Sequence, residues 1–247
     1  MQLATAQATE APVPGPALLE LKGVHAWYGL SHILDGVDMT VRRGEIVAML
    51  GRNGVGRSTL CKAIMGIATR SGSIRINGHE SVADKPHQIA HAGIGYVPEE
   101  RAVFPGLTVE QNLLLGVHSA AQHPWTLQGA YELFPSLQRR ADTSAELLSG
   151  GEQQMLSICR ALMSGPDLLI VDEPTEGLAP LIVQQVGDLL QSIAHRGVAV
   201  LLVEQKLTIA MRIAHRVYVM GHGRVMFEGT PEALRNAPDI RKSWLEV

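Results

Sequence analysis

Three stretches of this sequence carry residues whose types and spacing can do chemistry. In the first, Gly51-Arg52-Asn53-Gly54-Val55-Gly56-Arg57-Ser58 follows a short apolar run and precedes a helical pattern. Gly51, Gly54 and Gly56 let the backbone curl, so that successive N–H groups around Asn53 point inward at phosphate oxygens. A helix beginning near Ser58 adds its positive end. The run matches G-x-x-x-x-G-K-[ST] at every position but one. Ser58 then offers a hydroxyl oxygen to Mg²⁺, and Thr59 reaches a phosphate. The exception is Arg57, where the pattern has lysine. Arginine keeps the charge, but its planar fork is bulkier and prefers bidentate geometry. Two outcomes stay open. The fork displaces the terminal phosphate and slows its transfer, which depends on positioning, while nucleotide binding survives. Alternatively, the arginine adapts and nothing is lost.

The second stretch, Leu168-Leu169-Ile170-Val171-Asp172-Glu173, is four apolar residues ending in two acids. A buried strand brings Asp172 to the carboxyl edge of a sheet beside the phosphate loop, where it can hold the Mg²⁺ shell. Glu173, one residue on, points elsewhere and can polarise an attacking water as a general base. The third stretch is Leu148-Ser149-Gly150-Gly151-Glu152-Gln153-Gln154. Ser149 has the character of an N-cap, and the glycine pair bares backbone N–H groups at the positive end of a helix. One nucleotide does not need two cradles on one chain. The economical reading is that Ser149, Gly150, Gly151 and Glu152 close over a nucleotide held by another subunit.

Positioning these groups requires strands and helices in alternation. Residues 18–26 and 33–41 read as two strands with Gly29 near their turn. Residues 45–50 form the strand before the phosphate loop, and 60–66 part of the helix after it. Residues 72–77 alternate like a half-exposed strand, with Asn77-Gly78 as a turn signal, and 94–98 form another short strand. From about 108 to 147 the pattern is helical, with Pro124 and Pro135 as breaks. The alternation then resumes: a helix over 151–163, a strand over 168–171, and a helix from Pro180 to near Gly197. A strand over 198–203, a helix over 207–214, a hairpin-like pair over 216–220 and 224–228, and a short helix from Thr230 complete it. Parallel strands with crossover helices imply an open α/β sheet with its ligand site at the strand carboxyl ends.

Composition narrows the function classes. The 247 residues are 46% hydrophobic and 18% charged, a globular composition with room for one to two domains. A net charge of −3 lacks the basic face of a nucleic-acid binder. No run approaches the ~20 apolar residues of a membrane span, so a membrane role requires a partner. Cys61 and Cys159 are far apart and read as buried thiols of a reducing compartment. Residues 1–16 lack the charge and apolar pattern of a secretory signal and read as a disordered tail. Of ten histidines, only His87 and His91 stand at helical i, i+4 spacing, and without a third ligand they read as a solvated face. Arg139-Arg140 reads as a solvated charge pair.

The phosphate loop, LSGGEQQ and VDEPTEGLAP, in that order and spacing, resemble the ATP-binding subunits of ABC transporters from about Leu18 to the end of the chain. The resemblance implies a P-loop NTPase fold over 17–247. Its core is a mainly parallel α/β sheet with N-terminal antiparallel strands, and a helical subdomain is inserted at about 104–147. It implies an aromatic ring stacked on adenine, which Tyr28 matches, with Trp27 as a competitor. The family has a glutamine where this chain has Glu99, and a switch histidine where it has Gln205. Glutamine can hydrogen-bond a γ-phosphate but cannot become cationic. These departures, with LLVEQ and the opening WYGLSHILDGVDMTVRRGE, are similar to branched-chain amino acid importer ATPases of the LivF type; an amide or urea importer is the runner-up. In that group Glu99 and Gln205 are ordinary, and Arg57 is not.

The resemblance further implies ATP and Mg²⁺ bound between two ATPase subunits arranged head to tail, identical or different. It implies two membrane permease subunits, an indirect role for a periplasmic solute-binding protein, no nucleic acid, and a place at the cytoplasmic face of the inner membrane. Two other classes stay open: a nucleotide-gated regulatory subunit with impaired hydrolysis, and a soluble family member acting on DNA or ribosomes. The second usually needs a coiled-coil insertion or a fused second ATPase unit, and the sequence has neither.

Overall fold

The computed structural model describes residues 16–117 and 125–246. The expected tail and the break at Pro124 lie outside them, except Pro16. In chain order the strands are β1 (Ala17–Tyr28), β2 (Ser31–Arg42), β3 (Ile46–Leu50), β4 (Thr69–Ile76), β5 (His79–Glu80), β6 (Ile94–Val97), β7 (Leu168–Asp172), β8 (Ala199–Glu204), β9 (Arg216–Gly221) and β10 (Arg224–Gly229). The helices are α1 (Arg57–Ile64), α2 (Pro86–His91), α3 (Val109–Leu114), α4 (Leu127–Leu133), α5 (Pro135–Gln138), α6 (Gly150–Leu162), α7 (Pro180–His195), α8 (Leu207–Ile213), α9 (Pro231–Arg235) and α10 (Pro238–Trp244).

The strands make two sheets. One is antiparallel, in the order β2-β1-β4-β5. The other runs β10-β9-β3-β8-β7-β6 and is parallel except at β10. The strands β3, β7 and β8 are buried along their whole length. That burial on both faces explains why they read as continuous apolar runs and not as alternations. Alternate side chains serve two layers. Leu169, Val171, Val200 and Leu202 pack with α6 and α7 on one face. Leu168, Ile170, Leu201 and Val203 pack with α1 and the antiparallel sheet on the other.

Register decides what meets at the carboxyl edge. Leu50 of β3 lies opposite Glu204 of β8, and Val203 of β8 lies opposite Asp172 of β7. The phosphate loop leaving β3 and the acid pair ending β7 are therefore level, with β8 between them. Among the described residues of 108–147 the structure has α3, α4, α5 and a 3-10 turn at Ala145–Leu147, and one isolated bridge, Thr108 to Ser144. Thr108 caps α3 by accepting from Gln111 N.

Some elements differ from the sequence reading. The helix read as beginning near Ser58 begins at Arg57, behind Gly56 in the left-handed region (φ +109°). A β-carbon at Gly56 would also stand 2.9 Å from Leu34 Cδ2, so both conformation and space require glycine there. The single last helix is two, α9 and α10, because Pro238 restarts the chain after Asn236. Helix α2 holds His87 and His91, both exposed, while Ile89 alone faces the core. Both cysteines are buried and free. Among the described residues no helix is long and apolar enough to cross a membrane.

Candidate active site

A cavity of about 370 Å³ opens at the carboxyl edge of the larger sheet. Asn53, Gly54, Gly56, Arg57, Ser58 and Thr59 line it from the loop and α1, and Glu99, Glu173 and Glu176 line it from the opposite side. Gly54 and Gly56 take positive φ, which turns the loop around the cavity. Gly51 is buried where β3 ends, with no room for a β-carbon beside Met220 O, so it shapes the loop from below.

Arg57 lies in the floor, and its side chain is 3% exposed. Its Nη2 donates to Asn53 Oδ1 at 2.9 Å and to Glu173 Oε1 at 2.7 Å. Its Nη1 is buried and has no hydrogen-bond partner among the described residues. A buried guanidinium N–H without an acceptor costs about 1–3 kcal/mol, so this atom suits an anion entering the cavity. A glycine-turned loop, a helix N-terminus and an orphaned cationic donor together fit phosphate oxygens.

The acids opposite are close-set. Ser58 Oγ donates to Asp172 Oδ1 at 3.3 Å. Burial pushes the Asp172 carboxyl above the usual aspartate range; the Ser58 bond opposes this and the Glu173 charge adds to it. Glu99 is raised as well, first by loss of hydration and then by the charge of Glu173. Carboxylates that resist ionising together are relieved by a divalent cation, and a hydroxyl beside them completes an oxygen-donor set suited to Mg²⁺. Glu173 sits at φ +47°, in the left-handed region, at the step from β7 into the following loop. That conformation is costly for a non-glycine residue; here it accompanies the ion pair to Arg57.

Other candidate residues stand outside this cavity. Tyr28 ends β1 with 46% of its surface exposed. The Trp27 ring is instead stacked on His32, centroids 4.8 Å apart, so of the two rings Tyr28 is the one left uncovered. Gln205 follows β8 half-buried and is not among the lining residues. Ser149 caps α6: its Oγ accepts from Glu152 N at 3.3 Å, and Glu152 Oε2 accepts from Ser149 N at 2.9 Å. Arg140 Nη1 donates to the same carboxylate at 2.8 Å, so Arg140 is paired and not merely solvated. Burial alone would raise the Glu152 carboxyl, but the Ser149 and Arg140 bonds hold it below the usual glutamate range. At Gly151 a β-carbon would meet Ile182 of α7 at 2.9 Å, which accounts for glycine there.

Sequence reasoning did not single out Glu176, Arg101 or Glu204. Glu176 reaches the cavity from the loop after β7. Arg101, at φ +61°, lies against Gly150 and donates to Glu176 O at 3.4 Å, so it joins the α6 N-terminus to that loop. Glu204 is buried beside Gln205 and accepts from Thr175 Oγ1 at 2.6 Å and Thr175 N at 3.2 Å. An acid at the end of an apolar strand was a signal available for Glu204; for Arg101 there was none.

The family model described as "ABC transporter" matches residues 34–176. The chain is 42% identical over 231 residues to the high-affinity branched-chain amino acid transport ATP-binding protein BraG of Pseudomonas aeruginosa, covering 92% of this chain and 99% of that one. It is 36% identical over 221 residues to a probable branched-chain amino acid transport ATP-binding protein, LivF, of Archaeoglobus fulgidus, covering 88% and 94%. Among solved structures, an ATP-binding cassette of an ABC transporter in its ADP conformation superposes with a TM-score of 0.80 at 25% identity, covering 92% of this chain and 98% of that one. The matched span runs from β2 through the phosphate loop and Ser149 to the acid pair, the same residues that fold into one sheet edge and one capped helix. This chain belongs to the ABC transporter family, as an ATPase subunit whose hydrolysis is coupled to transport.

Proposed function

We propose that this chain is one of two ATPase subunits of a branched-chain amino acid importer. It would act at the cytoplasmic face of the inner membrane on two separate permease subunits, fed by a periplasmic solute-binding protein. The observation that carries the ATPase part is the convergence of Arg57, Ser58 and Glu173 on one cavity at the sheet edge, with Asp172 held to Ser58 beside it. The solute class rests on the likeness to the Pseudomonas protein over nearly the full length of both chains.

In this reading the backbone N–H groups of residues 54–58, with Arg57, hold the β- and γ-phosphates of ATP, and Tyr28 covers the adenine. Ser58 and Asp172 hold Mg²⁺, which supplies neutralising charge to the phosphate oxygens when bound. Glu173 orients and deprotonates the attacking water, Gln205 hydrogen-bonds the γ-phosphate, and Glu99 faces the metal side. The N-terminus of α6, with Ser149, Gly150, Gly151 and Glu152, completes the site of the second ATPase subunit. The helices between residues 104 and 147 form a subdomain that passes closure to the permeases.

A second reading is favoured by the pair between Arg57 and Glu173. A carboxylate directed at a guanidinium is not directed at water, so the site on this chain turns over slowly. The chain then serves mainly to complete the site of a different partner.

The test is uptake. In cells lacking this chain, radiolabelled leucine, isoleucine and valine uptake should be lost and return with the wild-type gene. Normal uptake of all three alongside loss of an amide or urea would overturn the solute assignment. Loss of uptake that an Asp172→Asn gene still restores would overturn the assigned role of Asp172.

A further inference from the structure

The antiparallel sheet carries a cluster that the active site does not use. His25 Nδ1 lies 3.1 Å from His32 Nε2 and 3.6 Å from Asp35 Oδ1. These three atoms all lie within 4.8 Å of one another, the one such group of histidine, cysteine and acid residues among the described residues. The i, i+4 spacing in the sequence singles out only His87 and His91. The grouping here depends on strand register.

His32 pairs directly with Trp27, and the ladder shifts register at Val24, Ala26 and Trp27. The shift is visible on β2 as burial of Leu34 and Val37, three residues apart where a regular strand would bury every second one. It turns Asp35 to the side of the sheet where His32 stands. Gly36 opposite takes a left-handed backbone (φ +75°), and a β-carbon there would lie in ordinary contact with the His25 ring, 3.8 Å from Cε1.

We propose that His25, His32 and Asp35 form a binding site for a single divalent transition-metal ion of the zinc class. Four-coordinate zinc with bonds of about 2.0–2.2 Å holds its ligand atoms roughly 3.3 Å apart; the two separations from His25, 3.1 and 3.6 Å, straddle that spacing, and the third lies within 4.8 Å. Two imidazole nitrogens facing each other at hydrogen-bond distance must share a proton or a cation. A carboxylate oxygen beside them favours the cation. Two nitrogen donors exclude a magnesium or calcium site, which would be all oxygen.

The surrounding residues hold the ligands in place. Arg224 donates through Nε and Nη2 to Asp35 Oδ2, at 2.8 and 2.5 Å, and leaves Oδ1 facing His25. Trp27 stacks on His32 and fixes its ring plane. These are the partners that orient metal ligands from behind. The fourth position faces solvent, because His32 is exposed, and is open to a water ligand. Asp35 N donates to Gly223 O, and Gly223 N donates to Val55 O of the phosphate loop. A metal here would brace the β1–β2 hairpin that carries Tyr28.

The test uses the full-length, untagged, nucleotide-free chain stripped of metal. It is titrated with Zn²⁺ alone against a chromophoric competitor, and separately with Co²⁺ alone by visible absorption. The expected result is a single tight Zn²⁺ per chain and the intense spectrum of four-coordinate Co²⁺. His25→Ala/His32→Ala should remove both, and Arg224→Leu should weaken Zn²⁺ about tenfold through Asp35. His87→Ala/His91→Ala should change neither. Equal Zn²⁺ affinity in the wild type and the His25→Ala/His32→Ala variant would overturn the proposal, as would a wild-type Co²⁺ spectrum of six-coordinate character. Should the double variant fail to fold by circular dichroism, His32→Ala alone, at an exposed position, decides the same comparison.

Discussion

Arg57 Nη2 donates to Glu173 Oε1 at 2.7 Å across 116 residues of chain, with both side chains largely out of water. The motif cation and the expected general base therefore hold each other. A lysine has a single compact ammonium on a thin stem and cannot span the same fork. Arg57→Lys is expected to free Glu173 and raise the ATPase rate of the assembled transporter at least about tenfold, a part of the roughly hundredfold or more that general-base catalysis supplies. Arg57→Lys/Glu173→Gln should return the rate to the wild-type level or below. Phosphate release at saturating ATP measures both, and an unchanged rate for Arg57→Lys would show that the pair opens without cost when ATP binds.

Tyr28 has its ring uncovered, whereas Trp27 is stacked on His32. Stacking a base on an aromatic ring contributes about 1–3 kcal/mol. Tyr28→Ala should weaken ATP binding about tenfold, and Tyr28→Phe should preserve it. Trp27→Ala should leave nucleotide affinity within about twofold, because its ring is already engaged. Equilibrium binding of a fluorescent ATP analogue separates the two rings.

Asp172 gives a pH dependence with a definite sign. Its folded-state value lies above the ordinary 3.8, chiefly through burial. The stability tied to its protonated form is fully present below 3.8 and is lost as pH rises through the raised folded value. At neutral pH the nucleotide-free chain therefore carries a buried charge it would rather not hold. Asp172→Asn should raise the urea midpoint at pH near 7, and the gain should shrink as pH falls toward the ordinary aspartate value. The same variant should lose Mg²⁺-dependent ATP hydrolysis, so stability and activity move in opposite directions.

Thr175 donates twice to the buried Glu204 carboxylate. Thr175→Val keeps the shape and removes the shorter bond, leaving a buried acid under-satisfied. The expected loss is about 1–3 kcal/mol of unfolding free energy. Thr175→Ser should recover most of it, and denaturant titration of the three proteins decides the matter.

The sequence alone settled those features that local chemistry specifies. Glycines at 51, 54 and 56, Ser58 behind them and an apolar strand ending in Asp172-Glu173 have short-range causes: backbone freedom, a helix start, burial on both faces. All strands but β5, and all helices but α2, followed from the same alternation of patterns, and the ABC family from the order of three motifs. The folded chain decided what depends on distant residues meeting. Register across β3, β8 and β7 levels Leu50, Glu204 and Asp172. Only that alignment brings Arg57 onto Glu173. A register shift on β1 and β2 assembles His25, His32 and Asp35 across two strands. Arg140 reads as a surface charge until the fold sets Glu152 beside it. Spacing along the chain specifies which backbone a residue sits on. Which side chain it faces is set by strand register and by packing between elements, and neither is written locally.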